Sequence, residues 1–392
     1  MAEDDAAPKP KRRQPRKRPA VEAPPDLPAG GDAAPAPSPD EAAAGGSDQP
    51  PAPAFEPPAP EGEAVPAAEE PAAAAGPAAK PRPLVVTIFG GTGFIGRRLV
   101  ARLLEAGATV KVAARDPKSV AAPAAKGAGS VEAIRASIGD DAAVAAAIAG
   151  STAVVNLVGI LYERGEQTFA GVHVDGARRI AAAARAAGVR RLVHTSALGA
   201  SAASPSQYAR TKAAGEAAVR EAFPEASIIR PSIVFGPEDD FFNRFAMMAK
   251  ISPALPLIGG GTTRFQPVYV DDVAAAIVTL LEGGLEGGLD GGLGQEREPG
   301  QTYELGGPEA YSFKELLEMM LRLKKMTRAL VPVPFFLAEV QGSFLQMLPT
   351  PPLTRDQVEL LKTDNVPSGS LPGLAALGIT PTPLEAVLPT YL

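Results

Sequence analysis

The stretch Leu84–Val100, LVVTIFGGTGFIGRRLV, constrains this chain more than any other. Leu84–Phe89 is apolar apart from Thr87, the pattern of a strand buried on both faces. Gly90-Gly91-Thr92-Gly93-Phe94-Ile95-Gly96 follows, and then a helix-like pattern from Arg97 to Ala106. A buried parallel strand, a glycine turn and a helix start are the parts of a dinucleotide-phosphate site. The glycines let the backbone turn tightly and approach a pyrophosphate, whose charge is favoured by the free N–H groups and positive end of the helix. The spacing is Gly-x-x-Gly-x-x-Gly, not the Gly-x-Gly-x-x-Gly commonest among dehydrogenases. A glycine triplet alone would be weak evidence, but this one is framed by strand and helix and followed by further alternation.

That alternation predicts strands at 84–89, 109–114, 131–137, 153–158, 191–195 and 226–230, with helices at 94–106, 141–149, 171–187 and 206–222. Strands separated by helices imply a parallel sheet covered on both faces. Right-handed crossovers make it a doubly wound α/β Rossmann sheet. The expected organisation is a tail at 1–82, a dinucleotide-binding core at 83–230, a smaller substrate-side α/β lobe at 231–328, and an apolar C-terminal segment at 329–392. Within the lobe, EGGLEGGLDGGLG at 282–294 reads as a flexible surface loop.

Charge is unevenly placed. Residues 1–80 hold 8 Lys/Arg and 14 Asp/Glu, while the other 312 hold 30 of each, so the folded part is neutral and the tail carries the net −6. The tail also holds 19 of the 42 prolines and one aromatic, Phe55. Such a composition cannot bury enough apolar surface to offset chain entropy and predicts disorder. Its cluster KPKRRQPRKR (9–18) reads as a solvated charge run, with contact to anionic lipid, nucleic acid or an acidic partner as the alternative. No nucleic-acid partner is expected. Early acidic residues argue against a transit peptide, and no apolar signal core follows. There is no cysteine, which excludes disulfides and thiolate chemistry. Two histidines, His173 and His194, are too few for a histidine-based metal cluster, so no metal is expected.

Ala329–Leu353, ALVPVPFFLAEVQGSFLQMLPTPPL, is apolar with one acid, Glu339. The interval between Pro334 and Pro349 would make a helix of roughly 22 Å, short of a ~30 Å hydrocarbon core. With Phe335, Phe336, Val340, Phe344 and Leu348 on one face it would pack on its own domain, or lie on a membrane surface or partner protein.

At the site itself, Arg115 stands one residue beyond the second strand, where an acid would bind the ribose 2′-hydroxyl of NAD. A planar guanidinium suits a 2′-phosphate, which favours NADP(H) over NAD(H). Arg97 and Arg98 would add positive charge. Tyr208-Ala-Arg-Thr-Lys212 puts a phenol and an ammonium one helical turn apart, where Lys would lower the Tyr pKa and Tyr would act as general acid or base. Ser196, at the end of the fifth strand, is placed to orient a substrate oxygen. Phe241, Asn243 and Arg264 are candidate pocket lining.

Ser196, Tyr208 and Lys212 resemble the triad of the extended short-chain dehydrogenase/reductase superfamily. The chain departs from that pattern at His173, where an Asn is usual, and at Ser137, where an Asp is usual. A narrower resemblance rests on VNLVG (155–159), YARTKAAGE (208–216), FPEA (223–226), RPSIVFGPEDDFFNRF (230–245), QPVYVDDV (266–273), VPFF (333–336), LTRDQV (353–358) and LPGLAALGI (371–379). Together these resemble the NAD(P)H-binding Rossmann accessory subunits of respiratory complex I, NADH:ubiquinone oxidoreductase, over about residues 84 to 388. The resemblance implies a tightly held NADP(H) that is not turned over. It implies cofactor contacts at Gly90, Gly91, Thr92, Gly93, Phe94, Ile95, Gly96, Arg115, Leu157, Val158, Gly159, Tyr208, Lys212 and Pro231. It also implies docking on other complex I subunits near the quinone site, with 329–353 against partners and the membrane surface. The Ala/Pro-rich tail suggests a bacterial source and hence the cytoplasmic face of an inner membrane, with the mitochondrial matrix side as the place in a eukaryote. The alternative is an NADP-dependent short-chain reductase, epimerase or dehydratase using Ser196, Tyr208 and Lys212.

Overall fold

A computed structural model describes residues 84–120, 129–282 and 299–392. The charged tail with its basic cluster, and the glycine–leucine repeat beyond Glu282, lie outside the described residues.

The first half of the main sheet contains β1 (Val85–Phe89), α1 (Phe94–Glu105), β2 (Thr109–Ala114) and β3 (Ser130–Arg135). The second half contains α2 (Asp141–Ile148), β4 (Ala153–Asn156), a π-helical stretch (Ala170–Gly176) running into α3 (Ala177–Ala186), β5 (Arg191–Thr195), α4 (Gln207–Ala222) and β6 (Ser227–Pro231). Then follow β7 (Val234–Phe235), α5 (Asp240–Ile251), β8 (Ala254–Ile258), β9 (Arg264–Phe265), β10 (Val268–Tyr269), α6 (Val270–Glu282) and β11 (Thr302–Leu305). The chain ends with β12 (Tyr311–Ser312), α7 (Phe313–Leu323), β13 (Ala329–Val333), α8 (Phe335–Leu345), α9 (Arg355–Leu360) and α10 (Leu384–Val387).

The main sheet is parallel, in the order β3-β2-β1-β4-β5-β6-β11, the doubly wound arrangement. Its central strands β1 and β4 are buried almost throughout because both faces are covered, whereas the edge strand β3 exposes Ser130, Glu132 and Arg135. On one face α1 and α6 bury Leu99, Leu103, Val273 and Ile277. On the other, α2, α3 and α4 bury Val144, Ile148, Ile180 and Val219. The strand order reverses direction between β1 and β4, so connections leave their C-terminal ends on opposite sides and open a crevice. Phe89 and Asn156 are paired across that switch point, which brings the glycine loop beside Leu157.

The smaller lobe has its own core, built on Phe235, Phe242, Leu255, Leu316, Leu317 and Met320. Leu374 and Leu377, close to the C-terminus, pack into the main core instead. In place of a continuous α-helix at 171–187, the first turns are π-helical. Close packing accompanies the change: a Cβ on Gly215 of α4 would collide with the carbonyl of His173, and one on Gly176 would meet Ile138 at 2.7 Å.

Helix α8 is also shorter than the proline interval suggests, and its apolar face divides in two. Phe335 packs with Ile258, Ala338 and Val358, while small Ala338 and Gly342 are buried on the inner side. The large residues point outward, with Phe336 65%, Phe344 71% and Met347 82% exposed. No helix among the described residues is long and apolar enough to cross a membrane.

Candidate functional site: the crevice above β1, β4 and β5

The glycine loop owes its shape to backbone contacts that side chains would block. Gly90 has φ +87°, and its carbonyl accepts the Gly93 N–H at 3.0 Å. A Cβ on Gly96 would collide with that same carbonyl, and one on Gly90 would sit 3.1 Å from Leu157. Gly93 precedes α1 without a side-chain cap, and no acid occupies the first turn. Free N–H groups, the helix dipole and a backbone without Cβ atoms form a cradle that fits a pyrophosphate. Thr92, Phe94 and Ile95 are half-buried around it.

Facing the loop, β4 ends at Asn156 and the chain continues through Leu157, Val158 and Gly159. Asn156 Oδ1 accepts the Val158 N–H at 3.0 Å and fixes this turn. Lys212 Nζ lies 3.4 Å from where a Gly159 Cβ would be, so the absence of a side chain leaves room for the ammonium. Lys212 is buried and donates to the Thr195 carbonyl at 3.0 Å. Burial pushes its pKa down to about 8, against the pull of Glu216. Glu216 is gripped by Arg230 through two hydrogen bonds, 2.8 and 2.6 Å, the bidentate geometry that suits a guanidinium.

Tyr208 is half-buried, its ring set edge-on to Phe169 and His173 at centroid distances of 6.0 and 5.4 Å. Lys212 Nζ lies 5.9 Å from its ring centroid. The expectation that Lys212 lowers the phenol pKa is corrected: burial, with help from the Asp356 carboxylate, pushes it up to about 12. Lys212 spends a donor on Thr195 instead.

His173, in the π-helical stretch, is neutral and held at both ring nitrogens. Its Nε2 accepts the Ile160 N–H at 3.1 Å, so Nδ1 carries the proton and donates to Thr211 Oγ1 at 3.0 Å. Thr211 in turn donates to the carbonyls of Gln207 and Tyr208. Burial and then Lys212 push the His173 pKa down to about 3. His194 is a packed strand residue. Its Nδ1 accepts from Asn156 Nδ2 at 3.1 Å, which leaves the proton on a buried Nε2 without a partner. Its pKa is also lowered to about 3, by burial and then by Lys212. Thr195 Oγ1 and Ser196 Oγ next to it are buried and unpartnered too. Three consecutive residues at the C-terminal end of β5 thus carry buried polar atoms without a protein partner.

Arg115 is exposed directly after β2, without a partner among the described residues, on the side of the crevice where β1 meets β2. Arg97 and Arg98 are engaged elsewhere: Arg97 with the Thr92 carbonyl and Glu238, Arg98 with Asp271 at 3.9 Å. Pro231 ends β6, where its carbonyl accepts the Leu198 N–H. Phe241 and Asn243 serve structure, Phe241 in an aromatic cluster with Phe242, Phe245 and Phe313, Asn243 on the carbonyls of Pro237 and Asp239. Arg264 is exposed away from the glycine loop, beside Ala310 and Lys314.

Sequence reasoning missed Asp356. From the first turn of α9, its carboxylate accepts Ser206 Oγ at 2.8 Å, the Gln207 N–H at 2.7 Å and the Tyr208 N–H at 3.0 Å. An acid 148 residues away thus caps the helix that carries Tyr208 and Lys212. No local pattern signals it, although LTRDQV around it belongs to the narrower resemblance.

Comparison with known proteins places this geometry. Residues 86–289 match the NAD dependent epimerase/dehydratase family. The mitochondrial NADH dehydrogenase (ubiquinone) 1 alpha subcomplex subunit 9 of Arabidopsis thaliana is 36% identical over 316 residues, covering 77% of this chain and 75% of that protein. Its Mus musculus counterpart is 36% identical over 306 residues, covering 77% and 78%. A ceramide reductase of Caulobacter vibrioides is 37% identical over 195 residues, 50% of this chain and 60% of that one. A dTDP-glucose 4,6-dehydratase from Streptomyces venezuelae, solved with NAD, superposes with a TM-score of 0.58 at 20% identity over 79% of this chain and 95% of that one, a likeness of fold.

Proposed function

The chain belongs to the NAD dependent epimerase/dehydratase family and, within it, to the group of complex I alpha subcomplex subunit 9 proteins, and we propose that it is a non-catalytic, cofactor-holding accessory subunit of NADH:ubiquinone oxidoreductase. The observation that carries this reading is the extent of the likeness. The family model stops at residue 289, whereas the mitochondrial relatives align over 77% of the chain, well beyond the dinucleotide fold. The function therefore resides in the C-terminal part as much as in the crevice.

The cofactor is NADP(H). Gly90, Gly91, Gly93 and Gly96, with Thr92, Phe94 and Ile95, hold the pyrophosphate, and Arg115 takes the 2′-phosphate. Leu157, Val158, Gly159 and Pro231 line the nicotinamide side, where Tyr208 and Lys212 meet the ribose. Its role is structural: a ligand that binds only the folded state stabilises it by mass action. The subunit docks near the quinone end of the hydrophilic arm, at the cytoplasmic face of a bacterial inner membrane. The outward aromatic residues of 329–353 face partners and the membrane surface. Native mass spectrometry of the purified complex tests this reading, with one NADP(H) and the subunit expected in the complex and no turnover by the free protein. Recovery only as a free protein without nucleotide would overturn it.

A second reading, an NADP-dependent reductase, epimerase or dehydratase, is favoured by the unpartnered Ser196 Oγ and by the likeness to a ceramide reductase. Tyr208→Phe should then abolish a measurable activity while the cofactor stays bound. Unchanged complex I function and no lost activity in that variant would leave the accessory role standing.

A further inference from the structure

A groove outside the crevice has chemistry that the cofactor does not use. It is a cavity of about 830 Å³ between α7 and the β8–β13 pair. Lys314, Arg322 and Lys325 lie at i, i+8 and i+11 along one face of α7 and its exit, and Arg328 closes the end. The opposing side is apolar, with Leu257, Leu330 and Pro332. Glu318 is the single acid of the lining, paired with Lys314 at 3.6 Å. The balance is therefore strongly cationic over an apolar floor.

Two details argue against a chance run of solvated charge. Helix α7 ends in a Schellman motif, with Lys325 N–H on the Arg322 carbonyl and Met326 N–H on the Leu321 carbonyl, both at 3.0 Å. The residue at the left-handed position of that motif is Lys325, at φ +51°, where glycine is favoured. Among the described residues it is the one non-glycine at positive φ. A lysine in a conformation that glycine adopts without strain points to its side chain. Arg328 is fixed in advance, its Nε donating to the Ala249 carbonyl at 2.6 Å.

The groove also opens toward the outward apolar surface. Pro332 in its wall is two residues from Pro334, the N-cap of α8, and the Phe335 ring packs against Gly259 beside the groove residue Gly260. Phe336 and Leu337, the two residues after Phe335, are exposed. From this juxtaposition we propose that the groove binds the phosphate headgroup of an anionic membrane phospholipid, with the start of its acyl chain on the Leu257–Leu330 floor. Guanidinium and ammonium groups recognise the phosphate, and the apolar floor distinguishes a lipid from a free anion. The proposal rests on the membrane-facing reading of 329–353.

Co-sedimentation of the full chain with phosphatidylcholine vesicles, with and without phosphatidylglycerol, tests it. Binding is expected only with the anionic lipid. Reversal of two groove charges, Arg322→Glu with Lys325→Glu, should weaken it by at least about tenfold. Reversal of two exposed arginines elsewhere, Arg178→Glu with Arg190→Glu, should weaken it far less. One dioctanoyl phosphatidylglycerol per chain is expected by native mass spectrometry, lost in the groove variant and retained in excess inorganic phosphate. Equal weakening by both charge reversals, or displacement by inorganic phosphate alone, would overturn the groove. If wild type ignores all vesicles, the membrane reading falls with it. If Phe336→Asp with Phe344→Asp releases the protein while the groove variant binds normally, only the groove falls. Because the altered side chains are exposed, unchanged melting curves serve as the folding check.

Discussion

Replacing Asp356 by alanine separates the support of the cofactor site from its contacts. The carboxylate accepts three hydrogen bonds at the positive end of the 16-residue helix α4, two of them from backbone N–H groups. Hydrogen bonds to charged groups contribute about 1.5–3 kcal/mol each when protected. Gln207 N–H is exposed enough for water to replace its partner, and Ser206 still caps Ala209 N–H at 3.2 Å. The expected loss is therefore about 2–4 kcal/mol, including the helix-dipole term. For a fold of this size, that is a fall of roughly 5–10 °C in melting temperature. The same loss frees the turn carrying Tyr208, one turn before Lys212, so NADPH affinity should fall by about tenfold or more. Asp356→Asn, which keeps an acceptor, should recover part of both. Ser312→Ala is the control. Ser312 caps α7 in the core of the smaller lobe through the Glu315 N–H, so its loss should lower the melting temperature and leave affinity unchanged. Scanning calorimetry and fluorescence titration with NADPH provide the two readouts. If Asp356→Ala lowers stability but binds NADPH like the parent, the coupling from α9 to the site is refuted.

Three further outcomes follow from the site. Gly96→Ala drives a Cβ into the Gly90 carbonyl and should abolish nucleotide binding, and a variant that still carries NADP(H) through gel filtration would contradict the cradle. Arg115→Ser should weaken NADPH by about 10–100-fold, the worth of a charge-assisted bond, and change NADH little; equal effects on both would remove the basis for NADP(H). His173 and His194 have folded pKa values near 3 and an unfolded value of 6.5. The unfolded chain binds more protons between those limits, so stability is complete above pH 6.5 and declines as pH falls toward 3. The loss is about 2 kcal/mol per histidine at pH 5. His173→Asn should remove its share of that acid dependence in urea titrations, and an unaltered pH profile would contradict its buried neutral state.

The dinucleotide half of this fold is legible in the sequence because its signals are local. The runs that become β1 and β4 are buried on both faces, and glycine spacing translates directly into a turn. What escapes sequence reading comes from contacts across the chain. The π-helical turn at 170–176 is accompanied by the close approach of Gly215, 42 residues on, to His173. The rise of the Tyr208 pKa requires knowing that Asp356 and a buried shell surround it. Arg97 and Arg98 read as free positive charge until Glu238 and Asp271 prove to be their partners. The apolar composition of 329–353 was evident, but not that small residues face inward and large ones outward. Helical periodicity marks where apolar residues sit, not which side carries a partner.

That inverted packing leads to a last expectation. Helix α8 buries Ala338 and Gly342 against the start of α9, where a Cβ on Gly342 would meet Arg355 N at 2.8 Å. The next residue, Asp356, holds the first turn of α4, and Lys212 follows one turn later beside Gly159. A surface that seats α8 therefore also fixes α9, and through Asp356 the wall of the crevice. Coupling between two sites is reciprocal, so whatever docks on α8 should tighten the cofactor, and the cofactor should tighten docking, by the same factor. Couplings of this kind are typically worth roughly 5–150-fold. NADP(H) should leave the isolated protein faster than the assembled complex, and Asp356→Ala should erase most of the difference without touching either surface. Dissociation rates measured by dilution into a nucleotide scavenger, for free and assembled protein, decide the matter. Equal rates in both states would show that α8 and the crevice are independent, and that α9 is a packing element alone.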